Sequence, residues 1–345
     1  MPLFDDPPLH DFPDRAIRRL LEEPRNLRDL IAAVLPDLVG RFDFDRLERP
    51  PRTFLLDDWR RRESDMLFRL PFRVEEGLQP ALVCLLVEHQ SEPDPPMPLR
   101  VLVYAALYWE QEWKAWEAGH EASRALRLSP VIPIVFHTGP TPWRTHRSLA
   151  ELIGGPQDLR IYAPEWRLLF LDVAERTPAE WLQSAWDWLA TMAVVRAERE
   201  EAEVFRTVFA AVLQRLESLS ETERVRWHDL LWFVLSWGLR RRPSEEQESL
   251  FEAAQVSQTD IRRREEVQKM SQTVQKTWEQ EMLEQGVARG QIREARNMLR
   301  LLLEEGFGSL PEALVTRIEQ TENLDQLRAA ARQVFRLTAL EDLHL

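Results

Sequence analysis

The sequence predicts an α/β domain, with helices laid against a central mixed sheet, followed by an α-helical C-terminal region. Three observations carry this expectation. Short apolar runs rich in β-formers occupy residues 81–87, 131–136 and 166–173, and runs of that length and character read as buried strands. Apolar residues recur at helical spacing in 13–24, 26–39 and 99–118, before and between those runs. From residue 178 onward the periodicity is helical.

Residues 1–12 are rich in proline and aspartate and are expected to be loosely ordered. A helix then opens with Pro13 near its start and Asp14 in its first turn, where an acid suits the helix dipole. Ala16, Ile17, Leu20 and Leu21 form its core-facing stripe. The segment 26–39 predicts a second helix with Asn26 as its cap. The words RFDFDRLERPPR read as a linker, 53–56 as a first strand, and Asp57 and Asp58 as turn acids.

Residues 65–70 give the next strand, VEEGLQP a turn, and 81–87 a central strand. An antiparallel hairpin turning at Glu76–Gly77 would set Asp65 directly opposite Glu88, about 5 Å apart at Cβ. Gln90, two residues beyond Glu88, projects from the same face. Two carboxylates and an amide would then converge at one end of an apolar hairpin. Like charges so placed are destabilising unless a cation or a proton neutralises them. The plainer alternative is that the strand simply ends here and its polar residues meet water.

After Gln90, the proline-rich SEPDPPMP cannot continue a strand, and 99–118 is a long helix rich in aromatic residues. Its Tyr104 and Tyr108 read as parts of a core helix covering the sheet more than as lining of a cleft. The strand 131–136 ends at His137, which reads as a hydrogen-bonded strand-end histidine or as a group near the site. Asp172 reads as a cap. Further on, Trp181, Trp186, Trp188, Trp227, Trp232 and Trp237 are expected to anchor packing, and Arg240–Arg242 to close a helix. The segment 265–284 predicts a polar, exposed or partner-pairing helix, 286–305 another, and 311–318 and 324–337 a compact terminus. The resulting organisation is 13–177, a helical extension 178–255, a polar helix or linker 256–290, and a helical module 291–345.

The 345 residues carry 44% hydrophobic and 30% charged side chains, ordinary usage for a soluble globular chain with an ample core. No apolar run approaches a membrane span, and the N-terminus lacks a signal peptide's basic-then-apolar layout. Cys84 is the single cysteine and reads as a buried thiol, so a cytoplasmic location is expected. A net charge of −13 argues against a strongly basic nucleic-acid binder. Local patches remain open: Arg15, Arg18 and Arg19 before the hairpin, and Arg61 and Arg62 at its start, are candidates for a DNA backbone. The chain contains no GxxxxGK[ST] phosphate loop, HExxH helix, GxSxG elbow or CxxC pair.

The words RESDMLFRL, LLVEHQS, MPLRVLVYAALYWE and VIPIVFHTG resemble the Rpn family of recombination-promoting nucleases, also labelled transposases, in the PD-(D/E)xK superfamily. The likeness spans roughly 13–174, and LLLEEGFGSLPEALVTRIEQTENLDQL resembles a module found at the end of such chains. The resemblance implies an αβββαβ core and a Mg²⁺-dependent DNA endonuclease promoting recombination. Asp65 and Glu88 then become the metal ligands, and Gln90 stands where the superfamily carries lysine. An amide cannot replace that charge. Family members carry His-Asp where this chain has Pro13-Asp14, so only Asp14 carries over; Asp14 and Glu22 are the candidate helical acids. The competing reading is an inactive DNA-binding or protein-interaction scaffold with a nuclease-like fold. DNA is the expected partner under the first reading, with the C-terminal helices as candidates for self-association and no membrane involved.

Overall fold

The computed structural model describes residues 12–49, 65–74, 77–88, 93–119, 125–162, 164–166, 168–219 and 223–335, with 337, 339, 340 and 343. At 14, 15, 65, 78–88 and a few other positions it describes the backbone alone. The chain divides into two units, His10–Val274 and Gln275–Leu345. The expected strand at 53–56, and Asp57 and Asp58, lie outside the described residues.

Helices α1 (Phe12–Glu22) and α2 (Pro24–Val34) open the first unit. Pro24 sits in the first turn of α2, where its missing N–H costs nothing, and Glu23 is the cap, its carboxylate accepting from the Arg25 amide at 3.5 Å. Asn26 is therefore not the cap. It is 1% exposed, and its Nδ2 donates to the Leu20 carbonyl at 2.8 Å, fastening the end of α1 to α2.

Strands β1 (Asp65–Val74), β2 (Gly77–Glu88), β3 (Val131–His137) and β4 (Leu169–Asp172) form one sheet in that order. β1 and β2 are antiparallel; β2, β3 and β4 are parallel to one another. The outer edge of β1 is bridged by Phe42 and Glu48, paired with Phe72 and Arg69. Val74 pairs with Gly77, which leaves only Glu75 and Glu76 between the strands. Gly77 stands at φ +124°, a conformation that favours glycine, at the first position of β2.

The two faces of the sheet bury different elements. Met66, Phe68 and Leu70 of β1, with Ile134, Phe136 and Leu171, join Ile17, Leu20, Leu21, Leu27, Leu30 and Ile31 of α1 and α2. Leu67 and Val135 instead meet Val101, Tyr104 and Tyr108 of α3 (Met97–Ala118). The two tyrosines are 2% exposed, in keeping with a core helix covering the sheet.

The rest of the first unit is helical. Thr177 and Glu180 make a reciprocal capping box on α4 (Pro178–Leu182), and Trp181 Nε1 donates to the Val173 carbonyl at 2.9 Å just beyond β4. Short α5 (Asp187–Ala190) and α6 (Met192–Arg196) lead to α7 (Ala202–Glu217), α8 (Arg224–Arg241) and α9 (Gln247–Val256). Trp181, Trp188, Trp227 and Trp237 are buried as packing anchors; Trp186 and Trp232 are partly buried against the same core.

Residues expected to form two helices, either side of Gly286, form one, α10 (Ile261–Phe307). Each glycine costs about 1 kcal/mol in a helix interior, and Gly286 with Gly290 do not stop one this long. Its early stripe is not free for a partner: Val267 and Val274 are buried in the first unit's core, with Met270 against it. The second unit packs Leu299 and Leu303 against Leu314 and Ile318 of α11 (Glu312–Gln320) and Leu327, Ala330 and Val334 of α12 (Leu324–Val334). Among the described residues, no helix is long and apolar enough to cross a membrane.

Candidate functional site

The parallel strands β2, β3 and β4 end together, and β1, running the other way, begins at the same edge of the sheet. In open α/β sheets, ligands bind outside the carboxyl ends of the strands. Glu88, His137 and Asp172 are paired in register across β2, β3 and β4, so the three positions form one row. Asp65 pairs with Leu86. The direct opposition of Asp65 and Glu88 expected from the sequence is thus corrected by two residues, because Val74 pairs with Gly77, which already belongs to β2. A shift of two preserves side-chain parity. Positions 65 and 88 remain on one face, the α3 face, as diagonal neighbours at roughly 7–8 Å.

His137 is 0% exposed. Its Nε2 lies 2.9 Å from the Thr141 carbonyl, and its ring meets Trp143 edge to face at 5.3 Å. A carbonyl only accepts, so Nε2 carries a proton, and in the neutral ring Nδ1 is then the nitrogen with the lone pair. Among the described residues that Nδ1 has no hydrogen-bond partner. Both oxygens of Asp172 accept from backbone amides: Oδ2 from Trp143 N at 2.6 Å and Oδ1 from Ala174 N at 2.9 Å. It caps the turn after β4 and holds the Thr138–Trp143 loop against the row, in line with its expected capping role.

α3 supplies a buried cation that the sequence reading did not single out. Arg100 is 3% exposed, and its Nη1 donates to Asp94 Oδ2 at 2.6 Å. Two turns further on, Tyr108 Oη accepts from Arg69 Nη2 at 2.6 Å and Nε at 3.2 Å. Arg100 precedes Tyr108 by about 12 Å along α3, and Asp65 precedes Arg69 by about 13 Å along β1. Arg100 thus sits in the N-terminal turns of the helix that covers the face of positions 65 and 88. Burial pushes the Tyr108 hydroxyl above the ordinary tyrosine range, with the Arg69 bonds opposing it, while the bond to Tyr108 raises the Arg69 guanidinium. The sequence signal for Arg100 was the spacing of Asp94 six residues before an arginine that opens an apolar helix.

The other candidates scatter. α1 packs on the opposite face from the Asp65–Glu88 row, and Glu22 is exposed at its end; the side chains of Asp14 and Arg15 are outside the described residues. Gln90, Arg61 and Arg62 also lie outside them. Arg18 is half-buried. Arg19 donates to Asp229 of α8 at 3.2 Å and lies 6.0 Å from the Trp232 ring, which engages it in joining α1 to the helical layer.

Among the described residues, no three His, Cys, Asp or Glu side chains gather as a metal site. The donor chemistry of the row nonetheless suits a cation: two carboxylate positions on one face beside a buried imidazole nitrogen with a free lone pair. A family model described as "Putative transposase, YhgA-like" matches residues 11–226, more than half of the chain, from α1 through the start of α8. No solved structure matches the chain.

Proposed function

The chain belongs to the family of YhgA-like putative transposases, the Rpn-type group that its motifs resemble, and from that premise we propose a divalent-cation-dependent DNA endonuclease. Family membership suggests a role in transposition or recombination. The observation that carries the finer reading is the register: Asp65 and Glu88 share one face as diagonal neighbours at the carboxyl edge of the parallel strands. Two carboxylate positions at that separation invite a positive charge between them.

Asp65 and Glu88 would hold Mg²⁺ or another divalent cation. Such an ion, when bound, polarises a phosphoryl oxygen and lowers the pKa of its water. Gln90 follows Glu88 by two residues in the sequence and would orient the attacking water or contact the phosphate through its amide. Arg100, near the start of α3 and held in place by Asp94, would bring positive charge to the same face of the sheet. Asp172 fixes the loop that covers His137.

Incubating the purified chain with supercoiled plasmid tests the reading. Nicked circles are expected with Mg²⁺ or Mn²⁺, and EDTA should stop their formation. DNA binding with no nicking under either cation would favour the inactive scaffold instead.

A further inference from the structure

We propose that His137 Nδ1 is a third protein donor to the cation assigned above to Asp65 and Glu88, and that the site therefore favours Mn²⁺ over Mg²⁺. The inference rests on the nuclease reading and adds a ligand and a metal preference to it. Three observations support it. The imidazole is 0% exposed, so bulk solvent does not reach its second nitrogen. Nε2 is committed to the Thr141 carbonyl, which in the neutral ring puts the lone pair on Nδ1, and Nδ1 has no hydrogen-bond partner among the described residues. His137 is paired in register with Glu88, and neighbouring strands lie about 4.8 Å apart.

The neighbours of His137 explain why a cation fits. The other register partner, Asp172, has both carboxylate oxygens occupied by backbone amides, and a carboxylate offers no proton to Nδ1. Trp143 presents its ring to the imidazole, while its indole Nε1 donates to the His146 carbonyl at 3.2 Å. Glu88, like Nδ1, is an electron-pair donor. Positions 88 and 137 are register partners, and an ion bound by both donors would reconcile them. The Thr141 bond then acts as the outer partner that orients a metal-binding imidazole. Imidazole suits transition metals, whereas Mg²⁺ prefers oxygen ligands and retained water, hence the expected preference.

The test uses the full chain and reads binding instead of activity. Free Mn²⁺ is followed by its electron paramagnetic resonance signal during titration, and Mg²⁺ affinity by competition. His137→Gln is the informative variant, because its side-chain amide can still donate to Thr141 while the Nδ1 lone pair is gone. His137→Gln should weaken Mn²⁺ binding by about tenfold or more and affect Mg²⁺ much less. Unchanged Mn²⁺ affinity in His137→Gln, with affinity lost in Glu88→Ala, would overturn the role of His137 and leave the metal site standing. No Mn²⁺ binding by the wild type, or binding indifferent to both Asp65→Ala and Glu88→Ala, would overturn both. A second measurement needs no variant: the Mn²⁺-loaded wild type should show electron spin-echo modulation from a coordinated imidazole ¹⁴N. Its absence would overturn the inference.

Discussion

Glu88 and His137 hold paired positions on neighbouring parallel strands, at the edge where β1 begins with Asp65. The pairing places a carboxylate position beside a fully buried imidazole, and the diagonal pairing of β1 adds a second carboxylate position on the same face. The surrounding elements serve this edge. α3 covers the face from Val101 to Tyr108, and Asp172 pins the Thr138–Trp143 loop.

The contact between α3 and β1 has a measurable strength. Tyr108→Phe removes a hydroxyl that accepts two bonds from Arg69 while leaving the ring in the core. Because Arg69 is partly exposed, we expect a loss of about 1 kcal/mol, read from the urea midpoint, below the usual range for bonds to charged groups. No loss would mean the pair is solvent-screened and does not fasten the helix.

Arg100 and Asp94 form a tighter case. Their side chains are 4% and 13% exposed, so removing the arginine strands a carboxylate with little water. Arg100→Gln should cost about 3–5 kcal/mol, and adding Asp94→Asn should recover part of that. Purely additive effects in the double mutant would contradict the pairing.

Much of the fold was legible because the apolar runs 81–87 and 131–136 are short, continuous and rich in β-formers, which together favour buried strands. The hairpin itself followed from VEEGLQP, but its register did not: the words allow Gly77 either in the turn or in the strand, and only the pairing decides. The candidate face survived because an error of two residues keeps parity. Partners distant in sequence stayed hidden. Nothing in the words around Arg19 points to Asp229, 210 residues away, and nothing around Asn26 reveals that it bonds back to Leu20 instead of capping its helix. The free lone pair on His137 depends on a loop carbonyl and on complete burial, neither of which composition encodes.

Acid should report on Asp29. Its carboxyl is paired with Arg226 at 2.6 Å, yet burial dominates and pushes it from 3.8 to about 6. Between those values the folded chain keeps a proton that the unfolded chain has lost. This group's stabilising contribution is therefore complete below about pH 4 and disappears as pH rises through 6. The stability difference between wild type and Asp29→Asn should shift against the wild type between pH 4 and pH 7 in denaturant titrations. A difference that is flat over that range would contradict the raised value.

Gly238 marks a close approach between α8 and α7. A Cβ there would meet Phe209 Cε2 at 2.7 Å, and Phe209 is fully buried. Gly238→Ala gains about 1 kcal/mol of helix propensity but forces that ring to move, at a cost of about 1–3 kcal/mol. A lower melting temperature is expected; a higher one would show that the ring relocates freely.

The most direct test of the central claim compares plasmid nicking by the wild type, Asp65→Ala and Glu88→Ala under Mg²⁺ or Mn²⁺, with folding verified by circular dichroism. The expected result is cation-dependent nicking by the wild type that is lost in both folded variants. Nicking that persists equally in either variant would contradict a catalytic cation held by Asp65 and Glu88.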